Sequence, residues 1–140
     1  MTWAGWALFS ACFAGMTAVL AKIGIQGIPS NLAMAIRTTV VLVAAWGLVL
    51  IRGEAKDLTA IPSRTLLFLV LSGFATGASW LCYFKALELG PVSKVAPIDK
   101  LSFVIATALA LIFLRGEKLT WPLGLGCVLI VAGVLLTLKG

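Results

Sequence analysis

The chain has 140 residues, 61% of them hydrophobic and 11% charged, and carries a formal net charge of +6. A soluble domain runs near half apolar and a quarter charged, so the polar surface of a water-soluble fold is missing, and an all-α bundle in the lipid bilayer is the class indicated. The positive balance does not point to nucleic acid, because the cations are scattered between apolar runs instead of clustering on one solvated face.

A helix crossing the roughly 30 Å hydrocarbon core needs about 20 apolar residues. The first run of that kind, residues 3–21, has no Lys or Arg before it and is too long for the core of a secretory signal, so it reads as a retained helix. Small residues recur along it at helical spacing, Ala11 with Gly15 and Ala14 with Ala18. The breakers Gly27-Ile28-Pro29-Ser30 separate it from a second run, 32–51, which contains Arg37. The loop after Arg52-Gly53-Glu54, reaching Arg64, is the longest in the chain and too short for a second core. The third run, 65–87, holds a GxxxG pair, Gly73 and Gly77, and then Trp80, Tyr83 and Phe84 around Lys85. Gly90-Pro91 leads into the fourth, 92–114, with Pro97, Asp99 and Lys100 inside it. Arg115-Gly116-Glu117-Lys118 precedes the fifth, 119–138, where Gly126 and Gly133 share a face. None of the five runs alternates as a transmembrane strand would. They read as one five-helix domain over 1–140, and the small residues read as close-packing faces within or between chains.

Cys12, Cys82 and Cys127 all fall in apolar runs, far apart and without CxxC spacing, and read as small packing residues. There is no histidine, so neither a histidine-based triad nor an ordinary zinc site can be built; no metal and no cofactor is expected.

Ionisable residues inside a span are costly and by default mark function. Arg37 stands about two turns into its helix, where snorkelling to the interface and a functional role are both open. Lys22 and Lys85 lie near span ends and are expected to snorkel. For the stretch Lys94 to Lys100 two readings stand. The helix begins at Pro97, with Asp99 near its positive end. Alternatively it begins near Pro91, which puts Lys100 roughly 12 Å deep at 1.5 Å per residue and makes Pro97 a helix break that frees a carbonyl in the preceding turn. The second reading is favoured, with Asp99 and Lys100 pointing to different faces. Trp80, Tyr83 and Phe84 fit either a cavity wall or an interfacial belt, the belt being favoured, and Trp3, Trp6, Trp46 and Trp121 near span ends fit a belt.

Five spans place the chain ends on opposite sides. Arg52, Lys56, Arg64, Arg115 and Lys118 gather on the side of the N-terminus; Lys22, Lys85, Lys94 and Lys139 gather on the other, joined by Arg37 and Lys100 if they snorkel that way. Counting true loops favours a cytoplasmic N-terminus, whereas counting every cation leaves so weak a bias that insertion in both orientations is open.

The order of these features resembles a single EamA-type domain of the drug/metabolite transporter superfamily. The resemblance is carried by Pro29 with Ala35-Ile36-Arg37 and by the block from Tyr83 to Ser93. It continues through Val95-Ala96-Pro97-Ile98-Asp99-Lys100-Leu101-Ser102 and Leu114-Arg115-Gly116-Glu117-Lys118-Leu119 to Gly126 and Gly133, so it spans essentially the whole chain. Larger members carry two such domains, inverted relative to each other. The resemblance therefore implies a carrier of a small-molecule substrate, working by alternating access as a homodimer, with an antiparallel arrangement open, in a bacterial inner membrane. It makes Arg37, Trp80, Tyr83, Asp99 and Lys100 the substrate-cavity candidates, and the excess of cations in that set suggests an anionic or zwitterionic solute. The related four-helix small multidrug-resistance transporters couple to protons through a glutamate in helix one. The first helix here has no acid, so Asp99, then Glu88, are the candidates for proton coupling. The alternative is an accessory membrane subunit or lipid-carrier flippase component acting with a different partner. An enzyme is not expected, because convergent catalytic groups are lacking.

Overall fold

The computed structural model describes residues 2–114 and 116–139; Arg115, counted above in the fourth loop and among the charges of one side, lies outside the described residues. The helices are α1 (Trp3–Gly24), α2 (Ser30–Ile51), α3 (Ser63–Leu89), α4 (Val92–Asp99), α5 (Leu101–Phe113) and α6 (Trp121–Lys139), with a 3-10 helix at Glu54–Ala60. Among the described residues there is no strand, and the chain is an all-α membrane bundle. Five segments are long and apolar enough to cross a bilayer: α1, α2, α3, α4 and α5 taken together, and α6. The loop 52–64 is thus partly helical, and the fourth span is split in two.

The boundaries follow from the breakers. Pro29 and Pro91 stand just before α2 and α4, where a residue without an N–H costs nothing because the first turn leaves its N–H groups without helical acceptors. At the far end of α2, Gly53 takes φ +68° and its N–H bonds the Leu50 carbonyl at 3.1 Å, a left-handed stop that most residues bearing a Cβ adopt only under strain.

The chain divides into two compact units, Val19–Leu89 and Met1–Ala18 with Gly90–Gly140, the division falling inside α1. In the first unit α2 and α3 pack antiparallel, the start of α2 meeting the end of α3. Its buried residues, Ile25, Ser30, Phe84 and Leu87, gather at that end. In the second unit α4 and α5 pack against α6, where Val134 is buried. Most other apolar side chains are exposed, the pattern of helices solvated by hydrocarbon.

The small-residue faces are open. A Cβ built on Gly73, Gly77, Gly126 or Gly133 would meet nothing within 4 Å. Gly73 and Gly77 line an apolar groove of about 530 Å³ with Met34, Val70, Phe74, Ala78 and Leu81. Cys12 and Cys82 are exposed and Cys127 half-buried, all as free thiols.

Candidate functional site

Three helix ends in the first unit are tied by polar side chains. Ser30 opens α2 and is buried. Its backbone N–H and its hydroxyl both donate to the carboxylate of Glu88, the penultimate residue of α3. A helix start leaves N–H groups without acceptors and carries partial positive charge, so Glu88 serves α2 as a cap supplied from another helix. Lys85 completes the cluster at 3.1 Å from Glu88 Oε2, one turn back on the same helix. From the last turn of α1, Lys22 donates its Nζ to the Leu87 carbonyl. Both ammonium groups find acceptors at the α3 terminus, Lys22 on a backbone carbonyl and Lys85 on the Glu88 carboxylate.

Deeper in the same unit lies Arg37. Its guanidinium carbon sits 4.5 Å from the centroid of the Trp80 ring and 5.6 Å from that of Phe84. Trp80 and Phe84 are four residues apart on α3, so both rings present on one face toward α2. Tyr83 stands edge-on to Phe84 at 6.5 Å. Arg37, Trp80 and Tyr83, proposed together from the sequence, are therefore neighbours of one small cluster. Phe84, grouped with Trp80 and Tyr83 in the sequence as a cavity wall or belt, belongs to the cluster too.

Pro97, Asp99 and Lys100 belong to the other unit. The fourth span begins directly after Pro91, and Pro97 lies inside α4. The interruption falls at Lys100, three residues beyond the proline and not in the turn before it. There the backbone tightens to φ −69°, ψ −12°, and i→i−3 bonds appear at the junction: Lys100 N–H to the Pro97 carbonyl at 3.0 Å and Phe103 N–H to the Lys100 carbonyl at 3.1 Å. The expectation that Asp99 and Lys100 face apart is corrected. With the helix broken between them and α5, Lys100 Nζ comes to 3.5 Å from Asp99 Oδ2, both side chains being partly exposed. Counted from Val92, this charged break lies roughly 12 Å into the span. Among the described residues, no cluster of three or more His, Cys, Asp or Glu side chains is placed to hold a metal ion.

Five spans, one interrupted at a charged pair and another carrying a guanidinium against aromatic rings, define a polytopic integral membrane protein with charge inside its helices. The model of the EamA-like transporter family matches residues 1–139, and the chain belongs to that family of membrane transporters. It is 50% identical over 135 residues to a protein of Sinorhizobium described as an uncharacterized transporter in the cobO 3′ region, covering 96% of this chain and 95% of that one. It is 31% identical over 81 residues to an uncharacterized protein of Methanocaldococcus jannaschii, 58% of each chain. No solved structure matches.

Proposed function

We propose that the protein is a secondary carrier that moves a small metabolite across the bacterial inner membrane by alternating access, as a homodimer of oppositely oriented copies. The observation that carries this reading is the interrupted fourth span. Broken helices, with charge and irregular backbone at the break, are tolerated in lipid where they line a cavity, and carriers built on inverted repeats use them at their substrate sites. An inverted-repeat carrier needs two halves, and a single five-span unit supplies one. The Sinorhizobium relative is matched over 95% of its length by the same unit, which leaves it no room for a second. Asp99, well inside the fourth span, is the acid proposed for proton coupling, and Glu88, at the end of α3, stands second.

Topology is the test. A reporter active only in the cytoplasm and one active only outside it are fused in turn to the C-terminus. Activity of both at similar levels is the expected result, since it provides the two orientations an inverted homodimer requires. Activity of the outside reporter alone fixes one orientation, with the N-terminus in the cytoplasm. The missing half must then come from a different membrane protein, which is the accessory-subunit reading.

A further inference from the structure

We propose that Arg37 is an oxyanion-binding site, whose guanidinium takes a carboxylate or phosphate group of the transported solute in bidentate fashion while Trp80 and Phe84 hold its face. An arginine in an apolar helix ordinarily escapes its cost by snorkelling to the interface or by pairing with an acid. The geometry of Arg37 provides neither. Measured along α3 from Glu88, which meets the start of α2 at Ser30, Phe84 lies about 6 Å and Trp80 about 12 Å further into the span. The guanidinium is closer to the ring of Trp80, the deeper residue, than to that of Phe84, so it is not reaching for the near interface. Among the described residues no carboxylate lies within 4.0 Å of it, and it makes no side-chain hydrogen bond.

What the two rings offer is their faces. Aromatic faces attract the cation but accept little from its N–H groups, which radiate in the guanidinium plane as a rigid fork of five donors. Those donors are also reachable: among the described residues no buried side-chain nitrogen or oxygen lacks a partner, so the unpaired nitrogens of this half-buried residue open onto a surface. A planar cation desolvated over aromatic rings, with its donor edge unoccupied and accessible, is matched by the two oxygens of a carboxylate or phosphate. The neighbouring rings suit an apolar or aromatic body attached to that group. The proposal rests on the carrier reading only in naming the solute as the source of the oxyanion; a lipid headgroup carries the same chemistry from another source.

The experiment uses Trp80 as its own reporter. Trp3, Trp6, Trp46 and Trp121 are replaced by Phe, and the protein is placed in nanodiscs of phosphatidylcholine. Trp80 emission is followed while benzoate, or separately inorganic phosphate, is added. A saturable change is expected for at least one probe, weakened at least tenfold by Arg37→Gln and less by Arg37→Lys, which keeps the charge and loses the fork. Should the multiple Phe variant fail to fold, equilibrium binding of radiolabelled benzoate and phosphate to the wild-type chain reads the same affinities. Absence of a saturable response to either probe, or equal response in Arg37→Gln, overturns the site. A Trp80 signal that follows added phosphatidylglycerol and ignores both solutes assigns the guanidinium to a headgroup and overturns the solute as ligand. Binding is read without a gradient, so failure here leaves the topology result intact, and a chain that does not transport can still give the signal.

Discussion

Replacing Pro97 with alanine isolates the physics of the broken fourth span. Proline at this position has no N–H for the Ser93 carbonyl, and its ring crowds that carbonyl, a combined cost of about 3 kcal/mol in a helix interior. Three residues on, the chain makes its junction bonds to i−3 acceptors, and Leu101 and Ser102 donate no backbone hydrogen bond across the break. Alanine restores the donor and the space, so Val92–Phe113 is expected to close toward one continuous helix. If the full 3 kcal/mol is recovered locally, amide exchange at Leu101 and Ser102 slows by roughly a hundredfold, at 1.4 kcal/mol per factor of ten. The assay is hydrogen exchange resolved to the 97–104 segment in detergent micelles, with thermal unfolding of the same sample. Higher thermal stability with slowed exchange is the expected pair. Unchanged exchange at both amides, in a folded variant, refutes the attribution of the break to proline and leaves the Asp99–Lys100 pair as its cause.

Leu87, fully buried, tests how much packing energy the bundle holds. A buried Leu→Ala costs about 2–5 kcal/mol in a soluble core, of which three carbons at roughly 0.8 kcal/mol each are transfer from water. Lipid is as apolar as the interior, so the transfer part falls away and Leu87→Ala is expected to cost no more than about 2.5 kcal/mol in reversible SDS unfolding; a larger loss would mean that the α3 end unfolds into water. Gly53→Ala, at φ +68° with open space around its Cβ, is expected to cost about 1–2 kcal/mol from backbone strain alone, and Gly53→Asn distinctly less. Equal stability of the alanine and asparagine variants in the same unfolding assay would show that the turn relaxes out of the left-handed region.

The five spans were legible in the residues because the bilayer imposes a length and forbids unpaired backbone, and those two demands act on each segment separately. Helix ends were legible within a few residues for the same local reason: Pro29, Gly53 and Pro91 act on their own backbone. The charged stretch in the fourth span was readable as a break near Pro97, whereas its position at Lys100 depends on how the backbone recovers after the proline, which residue types do not specify. Partnerships between helices were out of reach. That Glu88 caps α2, that Lys22 closes the α3 end, and that Arg37 rests on Trp80 and Phe84 are all consequences of the register between α2 and α3 and the last turn of α1. In water, an apolar stripe tells a helix which face to bury and so constrains its register. In lipid every face of these helices is apolar, so register falls to a few polar contacts and to side-chain fit, and these exist only once the helices have met.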